Sequence, residues 1–306
     1  MAKPLHLNHL VRRPLERALS RLLLPAGQSE SVFLSPAGEA ALTAPDSVSW
    51  QVFKNPVTVF IGGVAAVLLE LAEPRVRSGV WDHTTFRRQP LDRMRRTGFA
   101  AMITVYGPRR EAETMTAAVS RLHARVQGET PDGHRYSAAD PALLTWVHAT
   151  ASFGFLEAYC AFVQPVLPGR KDEFYREGQL AARLFGAVSA PGSQRELDEL
   201  LEQMLPQLER SPVVFEFLAI ARAMPVLPAP LRWLQAWLIR AAVQLLPGRV
   251  RERLGLGPEW DLLPWQRRLV CRLSAAADRV VLRTHPAVLA CRRLALPDDH
   301  LFVNPP

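Results

Sequence analysis

The chain has 306 residues, 48% of them hydrophobic and 22% charged, with a net charge of +8 at pH 7 and a pI of about 10.1. This apolar share is ample for a sizeable core. The positive balance comes from Arg far in excess of Lys, yet no basic run interleaves with aromatics and no nucleic-acid motif is present, so no nucleic-acid partner is expected. The three cysteines, Cys160, Cys271 and Cys291, are far apart and odd in number. They exclude a disulfide scaffold and fit the reduced thiols of a cytoplasmic protein.

Residues 1–49 form an arm and lead-in. His6, His9, Arg12, Arg13, Arg17 and Arg21 alternate there with leucines, without the uninterrupted apolar run of a secretory signal. A basic amphipathic arm of this kind either makes peripheral contact with a membrane surface or packs on the body, and packing is the preferred reading. Val57 to Leu71 is the most apolar stretch and ends at Glu70 and Glu73-Pro74, too short to span a bilayer. It reads as a buried core helix whose Gly62-Gly63 pair admits either another helix or a flat macrocycle.

His83 follows in a polar setting that suits a cap or loop, or a place near a pocket mouth. Past Pro90, Arg93, Arg96 and Thr97 fall at i, i+3 and i+4, so two cations and a hydroxyl share one helix face. Between Pro108 and Gln127, Met115, Val119, Leu122 and Val126 form one amphipathic stripe. His123 lies on its edge, bracketed by Arg121 and Arg125.

A short hairpin is expected around Gly128–Tyr136. Residues 142–163 then put Leu144, His148, Ala151, Phe155, Ala158 and Phe162 on one face. Capping signals at Ser137-x-x-Asp140-Pro141 and Ser211-Pro212 mark helix starts. Further helical patterns cover 170–187, 193–209, 212–223, 229–246 and 262–283, separated by Pro, Gly or Ser clusters. Trp233, Trp237, Trp260 and Trp265 enrich the last third and suit core packing or the roof of an apolar cavity. His285 and His300 sit in loop or terminal contexts and receive no role.

The expected fold is therefore all-α, a single domain over residues 50–295 with a C-terminal tail at 296–306. No nucleotide loop, nucleophile elbow, zinc helix or dinucleotide fingerprint is present. What remains open is cofactor chemistry. Two inward histidines, His123 and His148, are read either as core residues satisfied by a carbonyl or water, or as ligands to a metal or haem iron. A non-haem metal held by His83, His123 and His148 and a non-catalytic haem or lipid carrier are the alternatives to a haem enzyme.

Several motifs in order resemble a bacterial family first described as a domain of unknown function. They are Gly79-Val-Trp-Asp-His83, Pro90-Leu-Asp-Arg93-Met-Arg-Arg96-Thr97, Arg121-Leu-His123-Ala-Arg125-Val126, Tyr136-Ser-Ala-Ala-Asp140-Pro, Trp146-Val-His148-Ala-Thr150 and Glu173-Phe-Tyr175-Arg-Glu177. That family is grouped with the mycophenolic-acid pathway oxygenase and the catalytic domain of the latex-clearing rubber oxygenases, and the resemblance covers roughly residues 50–290. It implies a globin-like haem b domain acting with dioxygen on a small lipophilic substrate. His123 would take the proximal iron-ligand role, and Arg93, Arg96 and Thr97 would line the distal or propionate side, with Arg125 and His148 in the cofactor pocket. The family's distal motif has a lysine where this chain has Arg96. A guanidinium stays protonated and is a poor iron ligand, so Arg96 is expected to donate hydrogen bonds instead.

Overall fold

The computed structural model describes residues 3–227 and 229–303. In chain order these form α1 (His9–Leu23), α2 (Val48–Phe53), α3 (Pro56–Ala72), α4 (Pro74–His83), α5 (Pro90–Tyr106), α6 (Arg109–His123), a hairpin of β1 (Gln127–Glu129) and β2 (Arg135–Ser137), and α7 (Pro141–Phe162). There follow α8 (Pro168–Phe185), α9 (Gln194–Met204), α10 (Pro212–Ala223), α11 (Arg232–Leu245), α12 (Gly248–Leu254), α13 (Pro264–Ala277), α14 (Pro286–Arg293) and α15 (His300–Val303). The fold is all-α, and its two-stranded antiparallel hairpin pairs Gly128 with Tyr136.

Several helix starts share one device. A side-chain acceptor stands before a proline whose missing N–H costs the first turn nothing. Asn55 accepts from the N–H of Val57 and Thr58 ahead of α3. Asp140 accepts from Ala142 ahead of α7, and Ser211 from Val213 ahead of α10. Glu73 ends α3 and caps α4, taking the Val76 N–H at 2.7 Å. Pro74 drives it into extended geometry, so the two helices meet at 108°. Among the described residues no single helix is long and apolar enough to cross a membrane.

The centre of the molecule is α3 against α7, its most extensively packed helix pair. A Cβ built on Gly62 would lie 2.6 Å from the carbonyl oxygen of Gly154. The glycines therefore let two helix backbones touch, and Gly62 serves helix packing rather than a macrocycle. Around this pair α10 and α11 cover α3, while α8 and α13 cover α7. One core cluster extends from Phe33 to Phe302. In it Ile61, Leu68, Leu69 and Leu71 of α3 are at most 1% exposed, each burial contributing roughly 1.5–3 kcal/mol.

The N-terminal arm packs on the body. The Leu5 N–H donates to the Arg279 carbonyl at 2.7 Å, the Arg283 N–H donates to Glu16 at 2.8 Å, and Leu19 is buried. Leu10, Val11 and Leu15 face outward. In α7 the expected single stripe is replaced by burial nearly all round, because neighbours cover it on several sides. In α6 the stripe is rotated by one position: Ala112 and Thr116 are buried, while Leu122 is 60% exposed. His123, at the 4-3-4 spacing from Ala112, Thr116 and Val119, occupies the inward place that periodicity had given Leu122.

Candidate active site

Four helices bring one polar cluster together beneath the α3/α7 pair. α3 supplies Glu70, α5 supplies Arg93 from its first turn, α6 supplies His123 from its last turn, and α7 supplies Thr150. Glu70 shares a face of α3 with Gly63 and Ala66 at helical spacing, which turns a lone carboxylate from an otherwise apolar helix toward protein. Burial pushes its carboxyl up to about 7, while the Arg93 charge and the Thr150 hydroxyl pull against that rise. Thr150 also donates to the Val147 carbonyl of its own helix at 2.9 Å.

Arg93 reaches this position because Leu91 and Met94, its neighbours on α5, pack against the core. Burial lowers the guanidinium pKa and the Glu70 carboxylate raises it, with Arg96 adding a like charge. The Glu70 charge offsets part of the cost of this burial, although the two side chains form no ion pair within 4 Å.

His123 closes the cluster. A helix C-terminus ordinarily favours the imidazolium, yet burial and the nearby Arg93 charge lower its pKa, and burial is the larger effect. The ring is thus held neutral, the form that binds a metal. Its Nδ1 is shut away from solvent and has no hydrogen-bond partner among the described residues. His285 Nε2 is left in the same state; a buried ring nitrogen of this kind takes either an ordered water or a bound group as its partner.

The other predicted site residues lie around this centre rather than in it. Thr97 is exposed and donates back to the Arg93 carbonyl at 3.0 Å. Arg96 is exposed and donates to Thr85 at 3.0 Å. Arg125 is exposed just beyond α6. His148 stands two residues before Thr150, about 200° round α7, and points away from Glu70. Its Nε2 lies 3.4 Å from Ser152 Oγ and against Gly178 of α8, and burial pushes its pKa down to about 4.

His83 ends α4 and meets the hairpin, its Nε2 3.0 Å from the Tyr136 hydroxyl. Among the described residues no three of His, Cys, Asp and Glu converge as a metal site, so His83, His123 and His148 do not form the trio of the non-haem alternative. Each imidazole faces a different neighbour.

Glu70 is the member that periodicity missed. A single acid in the longest apolar run was the available signal, but it stands beside Glu73, and both read as helix-end acids. Two surface depressions lie elsewhere, about 360 Å³ against Leu205, Arg249, Glu252 and Arg253 and about 470 Å³ against Arg210, Pro212 and Phe215. Neither is lined by any residue of the cluster.

The cluster's residues all lie within the region matched in comparison with known families. No curated protein and no solved structure matches the chain. The family model described as ER-bound oxygenase mpaB/B'/rubber oxygenase, catalytic domain, matches residues 50–279, and the chain belongs to that oxygenase family.

Proposed function

We propose that the protein is a haem b-dependent oxygenase that acts with dioxygen on a small lipophilic molecule, with His123 as the iron ligand. The observation that carries this reading is the His123 ring, its pKa lowered by burial and by Arg93, with a buried Nδ1 that no group among the described residues satisfies. A neutral imidazole is a common axial ligand of haem iron. When bound, the haem supplies the dioxygen chemistry.

The chain's own residues set the conditions around it. Burial lowers the His123 pKa, and the positive charge of Arg93 adds to that effect. Glu70, with its carboxyl near 7, holds or releases a proton at a carboxylate oxygen close to neutral pH, the range in which a general acid or base works best. Apolar residues of α3 and α7 flank this end of the cluster. A hydrocarbon-like substrate is favoured because the matched family includes rubber oxygenases, although fold and family leave the identity of a substrate to the site itself.

The test is the absorption spectrum of protein expressed with haem precursor, as wild type, His123→Ala and His148→Ala. The wild type and His148→Ala are expected to show a strong Soret band, and His123→Ala to lose it. A wild type without a Soret band at full haem supply would overturn the reading. Oxygen uptake by the coloured protein with a reductant and lipophilic substrates then separates an oxygenase from a haem carrier.

A further inference from the structure

The first turns of α11 and α13 expose an aromatic surface. Trp233 stands 4.6 Å from Trp237 between ring centroids, and Trp237 stands 4.9 Å from Trp265, both edge to face. Trp237 is half-buried and anchors the row, whereas Trp233 is 47% and Trp265 54% exposed. Leu231 and Leu263, each immediately before one of these helices, are also exposed. Large aromatic and aliphatic groups contiguous on a surface mark an interaction face more often than chance exposure does.

The charge around this row has one sign. Residues 232–245 and 264–277 carry Arg232, Arg240, Arg267, Arg268 and Arg272 and not one Asp or Glu. None of the five makes an ion pair among the described residues, and Arg267 lies over the Phe162 ring at 5.3 Å. The acids just upstream are engaged already. Glu259 accepts from the Gly257 N–H, and Asp261 pairs with Arg251 at 2.8 Å. Arg232 adjoins Trp233 in sequence, and Arg268 and Arg272 follow Trp265 at i+3 and i+7, so guanidinium groups without an ion-pair partner among the described residues share helix faces with the indoles.

We propose that this face is a docking surface for an anionic phospholipid bilayer. Indole is the side chain best suited to the headgroup layer, because its ring is apolar and its N–H is wet. Arginines without ion-pair partners add attraction to anionic lipid, which an acidic soluble protein would share, and the exposed indoles favour the lipid because they suit its headgroup layer. The face is separate from the N-terminal arm. Leu5 docks beside Val280, past the far end of α13, about 20 Å from Trp265 by helix rise. The proposal does not rest on the cofactor reading, and it places the enzyme where lipophilic molecules partition.

The experiment mixes the full chain with vesicles of phosphatidylcholine alone or with phosphatidylglycerol added, and follows flotation and tryptophan emission. The expected result is flotation and a blue-shifted emission only with the anionic vesicles. Trp233→Ser with Trp265→Ser should weaken binding about tenfold or more, and Arg268→Glu alone about fivefold or more, both with unchanged circular dichroism. Failure to float with anionic vesicles overturns the proposal, as does undiminished binding by either variant. A dimer seen by light scattering that the tryptophan variant dissolves also overturns it, and assigns the face to a second copy of the chain.

Discussion

Gly62 of α3 and Gly154 of α7 bring two helix backbones into direct contact, so that a Cβ on Gly62 would sit 2.6 Å from the Gly154 carbonyl oxygen and 2.8 Å from the Phe155 Cα. Both obstacles are backbone, which cannot swing aside. Two residues of the polar cluster are placed relative to this contact, since Glu70 lies two turns along from Gly62 and Thr150 one turn before Gly154.

Gly62→Ala is therefore expected to destabilise the protein by about 1–3 kcal/mol through overpacking. Gly63→Ala is the control. Its Cβ would meet only Phe155 Cε1, at 3.9 Å, and the gain in helix propensity should leave stability equal or raise it by up to about 1 kcal/mol. Urea midpoints of the two variants decide this, and equal losses would show that the close approach is not what the glycine provides.

The fold was legible where the chain repeats a physical signal over several turns. α3 was clear from an unbroken apolar run, and α10 from Ser211-Pro212 before it. Seven or eight residues carry too few turns to show a period, and α12 and α14 went unseen for that reason. His285, followed by Pro286, has the sequence context of a loop residue. It is instead the buried N-cap of α14, its Nδ1 accepting from the Ala287 N–H at 3.1 Å.

The candidate site was legible by half. His123 and Arg93 could be singled out because each lies on a helix face defined by its neighbours. Glu70 could not, because its meaning depends on Arg93 and Thr150, which arrive from helices far away in sequence. Thr97 shared a face with Arg93 as expected, but its hydroxyl is taken up by its own helix, a local bond that spacing does not reveal.

Glu70 should make stability depend on pH. Its carboxyl is raised from 4.5 to about 7 in the folded chain, so folding favours the protonated form. The stabilisation is complete below the unfolded value and is lost as pH rises from about 4.5 to about 7. By the usual conversion this is on the order of 3 kcal/mol. Glu70→Gln should be more stable than wild type at about pH 8 and equal to it at about pH 4. Thermal midpoints across that range check the sign, and a variant with an unchanged profile would place the Glu70 carboxylate in water.

His148 acts in the opposite sense. Burial lowers it from 6.5 to about 4, so the folded chain favours the neutral ring. That contribution is present above about pH 6.5 and is lost as pH falls toward about 4. Replacing His148 with Gln, which keeps a polar group beside Ser152, should flatten the acid limb of the stability curve between those limits. An acid limb that does not move would assign the loss to other groups, His285 first, which burial also lowers to about 4.

Lys54 and Asp278 fasten the α2–α3 junction to the end of α13. The lysine Nζ donates to Asp278 Oδ2 and to its carbonyl, both at 3.0 Å, and its side chain is 3% exposed. Burial lowers the lysine pKa, and the Asp278 charge and hydrogen bond oppose that shift. Asn55 adds a bond from its amide to Asp278 Oδ1 at 3.3 Å. Lys54→Met leaves a carboxylate without its cation in a largely dry place, a change that costs about 3–5 kcal/mol in buried pairs. Lys54→Met with Asp278→Asn removes both charges and should recover a large part of that loss, because the desolvation of an unpaired ion is what makes the single change severe. Denaturant midpoints of the two single variants and the double give the coupling. A double variant as unstable as the sum of the singles would mean that the two charges do not support each other and that the junction is held by packing alone.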